Sequence, residues 1–221
     1  MRKLFGLLVV GGLIAMLTTD ANAQRPGFGG GGSMFLLQNK GVQEELKITE
    51  EQIGKIKTAS EDLQKKFPRT QFGKKDERTA EEKQKAAKER TEATAKAVAE
   101  ILNKEQATRL KQIERQQSPS TTLTTDEETV KAVGLTDEQK EKIKGIAEEN
   151  QKEMRGLFTG GGFNKEATEK MATLRKELKE KTLKVLTEEQ TKKWSELTGA
   201  AFEVKFEFGG GKGTTPKKKD D

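Results

Sequence analysis

The chain has 221 residues, with 42 basic and 36 acidic side chains, a net charge of +6, and no histidine, cysteine or tyrosine. These compositional gaps exclude Ser-His-Asp and Cys-His catalysis, disulfides, and metal sites built on imidazole or thiolate ligands. We therefore predict no enzymatic activity, no cofactor and no metal site, and we interpret the many carboxylates beside Lys and Arg as solvated helix faces.

The N-terminus has the layout of a secretory signal peptide. Arg2 and Lys3 precede an apolar run over residues 4–17, and small residues lead up to Ala23. We predict cleavage after Ala23 and a periplasmic or secreted mature chain. The apolar run is shorter than a membrane-spanning helix, so no span is expected in the mature chain.

The rest of the chain reads as helices between two flexible ends. Residues 24–35 are predicted to be a Gly-rich leader, and residues 209–221 a basic tail. Between them, proline occurs only at Pro68 and Pro119, in a segment rich in Lys, Glu, Gln, Ala and Leu. This composition favours long helices.

A five-residue pattern occurs four times, as ITEEQ, LNKEQ, LTDEQ and LTEEQ. The third copy follows the first by 87 residues and the fourth follows the second by 84, which indicates a tandem duplication. We predict unit 1 over residues 36–117, a linker over 118–125 and unit 2 over 126–200.

Helical periodicity divides each unit into the same elements. In unit 1, apolar residues recur every three or four positions over about 50–67, a second helix covers about 77–101, and a short third helix begins near 104. The matching pattern in unit 2 gives an all-α fold of two tandem, long antiparallel helical hairpins. Because only 31% of residues are hydrophobic, we expect a thin, elongated bundle or cradle.

The segment FEVKFEF at 202–208 breaks the helical pattern. Its strict alternation of apolar and charged residues is typical of a strand, so a short C-terminal β-strand within 201–208 is one option. This segment could cover the helices, pair between subunits or become ordered on a partner. Of these, we expect it to pack on the chain's own helices.

Each motif copy has the chemistry of a helix-capping box. The Thr or Asn side chain accepts from the backbone N–H three residues on, and the Gln side chain returns to the backbone N–H of the capping residue. Ile48 can close a hydrophobic staple with Ile53, whereas the leucines that precede the other three caps are expected to point into a contact between helices. The motif positions are Ile48, Thr49, Gln52, Leu102, Asn103, Gln106, Leu135, Thr136, Gln139, Leu186, Thr187 and Gln190.

Four boxes of this form on a charged, helical chain with a signal peptide resemble the LTxxQ-motif family of periplasmic stress proteins. The resemblance covers about residues 40–198. It implies a small helical protein that dimerises into a thin curved cradle, binds unfolded clients without ATP, or acts in envelope stress sensing. Family members usually carry two motifs, so this chain is expected to form within one polypeptide what the family makes from two subunits. A monomer with a pseudo-two-fold repeat and a homodimer both stay open.

The expected function is that of an exported, ATP-independent chaperone-like protein for unfolded or envelope proteins, with no nucleic-acid partner because the charge signs are mixed. The alternative is a scaffolding or stress-sensing envelope protein without general chaperone activity. Five side chains near the predicted turns are candidate client contacts, although each would also fit core or turn packing. They are Phe67, Phe72, Met154, Phe158 and Phe163.

Overall fold

A computed structural model describes residues 32–68, 77–157 and 165–205 of the chain. Helices hold 80% of these residues and no β-strand occurs among them, which confirms the all-α prediction. In chain order the helices of the described part are α1 Ser33–Leu36, α2 Lys40–Glu45, α3 Glu50–Lys66, α4 Ala80–Ile101, α5 Lys104–Gln117, α6 Pro119–Thr125, α7 Glu127–Val133, α8 Asp137–Gly156, α9 Lys165–Leu183 and α10 Glu188–Thr198. The predicted signal peptide and basic tail lie outside the described residues.

Helices α3 and α4 form the long pair of unit 1. The start of α3 lies beside the end of α4, where the Gln52 side-chain amide donates to the carbonyl of Ile101 over 2.8 Å. The two helices are in contact. The connecting turn was predicted between Pro68 and Gly73, and residues 69–76 lie outside the described residues.

Helices α8 and α9 form the corresponding pair of unit 2. Gln139 at the start of α8 donates to the carbonyl of Val185 just after α9, over 3.0 Å. Farther along, the Asn150 amide donates to the carbonyl of Leu174 over 2.7 Å, which fixes the antiparallel direction. The break predicted at TGGGFN, residues 159–164, is again outside the described residues.

Two apolar clusters form the core, one for each unit. The buried residues of the first cluster are Met34, Leu36, Leu37, Val42, Leu46, Ile56, Leu102, Leu110, Ile113 and Val204. Those of the second cluster are Leu123, Val133, Ile143, Leu186 and Trp194. The motif residues Leu102 and Leu186 are buried in these clusters, while Ile48 and Leu135 pack against them from the edge.

The end of the predicted flexible leader is part of the core. Residues Ser33–Leu36 form helix α1, whose Met34 and Leu36 side chains are buried in the first cluster. The leader was predicted to reach residue 35 because the preceding residues are rich in glycine. The described helix begins at Ser33, so the leader ends where the apolar MFLL stretch begins.

The segment predicted to be a linker, residues 118–125, also differs from expectation. Pro119–Thr125 is helix α6, with proline at its first position, and its Leu123 is fully buried in the second cluster. Leu123 follows Leu36 by 87 residues, the same offset that relates the motifs, and Leu36 is likewise fully buried. Helices α6 and α7 therefore correspond to α1 and α2, and this correspondence includes the segment predicted to be a linker.

Backbone geometry supports the same correspondence. Lys47 is the only non-glycine residue of the described part with a positive φ, at 50°, and Gly134, 87 residues later, has a φ of 75°. Asn39 and Asp126, also 87 residues apart, both cap the helix that follows with their side chains. Both units thus approach their first motif through a capped short helix and a left-handed residue.

The predicted C-terminal strand is wrong for the residues that the structure describes. Residues 201–205 have no strand partner and no regular secondary structure, while 206–208 lie outside the described part. Val204 is buried in the first cluster and Phe202 packs against it. The alternation correctly predicted one apolar face, and that face lies on the chain's own helices.

Across the described ranges, none of the helices has the length and apolar character required to cross a bilayer.

Candidate functional surface

Each of the four motifs forms a complete capping box. The cap side chain accepts from the Gln backbone N–H at 3.3 Å in Thr49–Gln52, 2.9 Å in Asn103–Gln106, 3.2 Å in Thr136–Gln139 and 3.3 Å in Thr187–Gln190. The glutamine Oε1 accepts from the cap N–H at 3.0 to 3.1 Å in all four. Helix α4 begins with a fifth box, Thr79 with Glu82, which the motif search did not predict.

The boxes are joined in pairs by their glutamines. In unit 1, Gln52 Nε2 donates to Gln106 Oε1 over 2.8 Å, and Gln106 Nε2 donates back to Gln52 Oε1 over 3.1 Å. In unit 2, Gln139 and Gln190 make the same reciprocal pair at 2.7 and 2.9 Å. Sequence reasoning treated the four motifs as separate helix starts and missed this contact.

The glutamine amides also bind the backbone that leads into the opposite motif. Gln139 donates to the carbonyl of Val185, and Gln190 donates to that of Gly134 over 2.8 Å. These carbonyls belong to the residues directly before Leu186 and Leu135. In each unit the motifs thus join the starts of two helices and the backbone that precedes them through one partly buried polar contact. The outer faces of the helices take no part in this contact.

Those outer parts carry apolar side chains that are only half covered. Helix α4 has no buried residue along its length. The half-buried apolar residues away from the glutamine pairs include Leu63, Phe67, Ala93, Ala97, Val98, Ile146, Met154, Leu157, Leu174 and Leu178. Of these, Leu63, Ala97 and Val98 also pack against the first cluster. Each long helix therefore keeps part of its apolar surface accessible to solvent.

Charged side chains flank this apolar face, and many are paired along their own helix. The contacts with nitrogen–oxygen distances below 3 Å on the long helices include Lys55–Glu51, Lys140–Asp137, Lys144–Glu141 and Lys170–Glu166. The hydrogen bond and charge of Lys55 lower the pKa of Glu51, and Lys170 does the same for Glu166. These carboxylates therefore stay ionised at neutral pH and keep the rim of the face hydrated.

Two of the five candidate client contacts lie in the described part. Phe67 ends α3 and is half-buried, with the Lys66 ammonium 5.3 Å from its ring centroid. Met154 is half-buried near the end of α8. Phe72, Phe158 and Phe163 lie outside the described residues.

A cleft of about 500 Å³ lies between α3 and α4. It is lined by the half-buried Ala59, Ala97 and Ile101 and by the exposed Asp62 and Glu100. The Lys55–Glu51 ion pair also lines the cleft. Within residues 32–68, 77–157 and 165–205, no group of three or more acidic side chains has the arrangement of a metal site.

Comparison of the chain with protein-family models, with curated proteins and with solved structures gives no match. The resemblance to the LTxxQ-motif family therefore rests on the four motifs and on the helices that they begin.

Proposed function

We propose that this chain is an exported, ATP-independent chaperone-like protein of the LTxxQ type, which binds unfolded or partner polypeptides in the cell envelope. The observation that carries the proposal is the half-covered apolar face of α3, α4, α8 and α9, flanked by ionised side chains. The proposal includes removal of residues 1–23 and assigns no reaction to the chain.

Such a face suits weak binding of many different chains. Unfolded polypeptides expose apolar side chains at irregular spacing, and a shallow apolar face can hold them without a shaped pocket. The flanking charges keep the free protein in solution and attract clients of mixed charge. A binding energy spread over several half-buried residues also allows release without ATP.

The test is light scattering of a chemically unfolded client diluted into buffer with the purified chain. We expect the intact chain, at several-fold molar excess, to reduce the scattering. A Phe67→Ser/Met154→Ser variant should lose at least half of this effect, because two apolar contacts are removed. The matched control is Glu61→Ser/Lys152→Ser, at exposed positions of the same two helices.

Unchanged client scattering with the intact chain would overturn the proposal. A single stable complex in a pull-down from envelope extract, without any effect on aggregation, would support the scaffolding alternative instead. If the serine variant and its control lose the same share of the anti-aggregation effect, the client-binding surface does not include Phe67 and Met154.

A further inference from the structure

The residues after α10 cross from unit 2 to unit 1, and we call residues 199–205 the C-terminal strap. Gly199 directs this crossing with φ 65° and ψ −157°, a conformation essentially restricted to glycine. A Cβ atom at this position would also lie 2.6 Å from the Gln112 side chain. Both observations indicate that the turn into the strap is a specific feature of the fold.

Side-chain amides of the helices hold the strap by its backbone. Gln116 Nε2 donates to the carbonyls of Thr198 and Ala200, each over 2.8 Å, and Gln116 Oε1 accepts from the Phe202 N–H over 2.8 Å. At the other end, Asn39 Nδ2 donates to the Lys205 carbonyl over 2.7 Å. Because these contacts use only main-chain atoms of the strap, they do not depend on its side chains.

Apolar contacts along the strap come from alternate residues. Val204 is 7% exposed in the first cluster and Phe202 packs against the same cluster, whereas Ala201, Glu203 and Lys205 are exposed. This alternation indicates an extended segment whose Phe202 and Val204 side chains face the first cluster. The receiving site, which we call the strap groove, thus combines main-chain hydrogen bonds with apolar contacts two residues apart.

We propose that the strap groove is a binding site for extended segments of other polypeptides, with apolar side chains two residues apart, and that the strap competes for it from within the chain. This inference rests on the proposed function and names one of its client sites. Main-chain hydrogen bonds with pockets for alternate side chains are a general way to bind extended peptides of varied sequence. An unfolded client offers both features, and a folded protein offers them rarely.

Competition sets the apparent affinity for such a segment. A peptide binds only to molecules whose strap is open, so its apparent Kd is the intrinsic value divided by the open fraction. A change that weakens the strap without altering the groove should tighten peptide binding. Substitution of Val204 is such a change, because the Val204 side chain is part of the strap and not of the groove.

The experiment titrates a fluorescent synthetic peptide of sequence TGAAFEVK, residues 198–205, with the full chain and follows its anisotropy. We expect Val204→Asp to bind the peptide at least about tenfold more tightly than the unchanged chain, because a buried carboxylate opens the strap. Ala201→Asp is the matched control, since it adds the same charge at an exposed strap position. A peptide with Asp in place of Val should bind none of the proteins.

A second variant keeps the test decisive if Val204→Asp loses its helical circular dichroism. Val204→Ala removes two methyl groups without adding charge, and we expect about fivefold to tenfold tighter peptide binding. If the folded variants bind the peptide no more tightly than Ala201→Asp, the proposal is wrong. If the folded variants bind the peptide more tightly but no form of the chain reduces client scattering, the strap groove is a peptide-binding site and the chaperone proposal is wrong.

Discussion

At the level of single residues, the glutamine of each motif combines a local and a non-local contact. Its oxygen accepts from the N–H of its own cap, while its nitrogen donates to the partner glutamine and to a backbone carbonyl of the opposite segment. Glutamic acid could complete the local box, as Glu82 does with Thr79. It has no donor for the second contact when ionised, which gives a physical reason for glutamine in all four motifs.

This argument predicts unequal costs for two box mutations. Gln106→Ala removes a buried side chain and leaves Gln52 and the carbonyls of Leu46 and Lys47 without this donor, so it should cost about 2–3 kcal/mol of unfolding free energy. Glu82→Ala removes the side chain of an exposed capping box, and should cost about 1 kcal/mol or less. Guanidinium titrations of both variants measure the difference. Equal costs would mean that the glutamine pair adds nothing beyond capping.

At the level of elements, the sequence predicted those features that depend on neighbours in the chain. The long helices and their caps follow from periodicity and from contacts three residues apart, and they lie close to their predicted bounds. The glutamine pairs join residues 54 and 51 positions apart. The spacing of the motifs was visible in the sequence, but the contact depends on how the helices fold back on each other.

Helix α6 shows why the linker prediction differed from the structure. Its sequence PSTTLTT is rich in Ser and Thr, which favour caps and turns over helix interiors. In the structure, Thr124 and Thr125 donate back to the carbonyls of Ser120 and Thr121, and burial of Leu123 stabilises the short helix. Tertiary contact therefore overrides local preference here. The 87-residue offset to Leu36 was the available signal.

The contact of α1 with α5 contains a carboxyl group that leads to a pH-dependent prediction. Burial raises the pKa of Glu114, and this outweighs the hydrogen bond from Ser33 and the charges of Lys111 and Arg115. A carboxyl whose pKa is raised on folding contributes stability below its unfolded pKa, and that contribution is lost as the pH rises through the folded value. Glu114→Gln removes this titration.

We therefore expect Glu114→Gln to unfold at a higher guanidinium concentration than the unchanged chain at pH 7. The gain should shrink as the pH falls and disappear near pH 4, around the unfolded pKa of glutamate at roughly 4.3. The difference between the two proteins is the relevant quantity, because all other groups titrate in both. A gain of the same size from pH 4 to pH 8 would contradict the burial argument.

At the level of the whole molecule, the two clusters are joined by contacts that belong to both units. The buried guanidinium of Arg115 in unit 1 lies 3.6 Å from the carboxylates of Asp126 and Glu128 and 3.4 Å from the Leu197 carbonyl. Helix α5 packs against α10, and the strap that follows unit 2 carries Val204 into the first cluster. Such shared contacts favour a single cooperative unfolding transition over two independent ones.

Trp194 allows this cooperativity to be measured, because it is the only tryptophan of the chain and is buried in the second cluster. Leu36→Ala empties space in the first cluster and should cost about 2–4 kcal/mol. If the units unfold together, Trp194 fluorescence and far-UV circular dichroism should shift to the same lower midpoint. The equivalent change in the second cluster, Leu123→Ala, should shift the midpoints of both signals in the same way.

A different result would contradict this prediction. If the Trp194 midpoint of Leu36→Ala is unchanged while part of the helical signal is lost at a lower guanidinium concentration, unit 2 folds without unit 1.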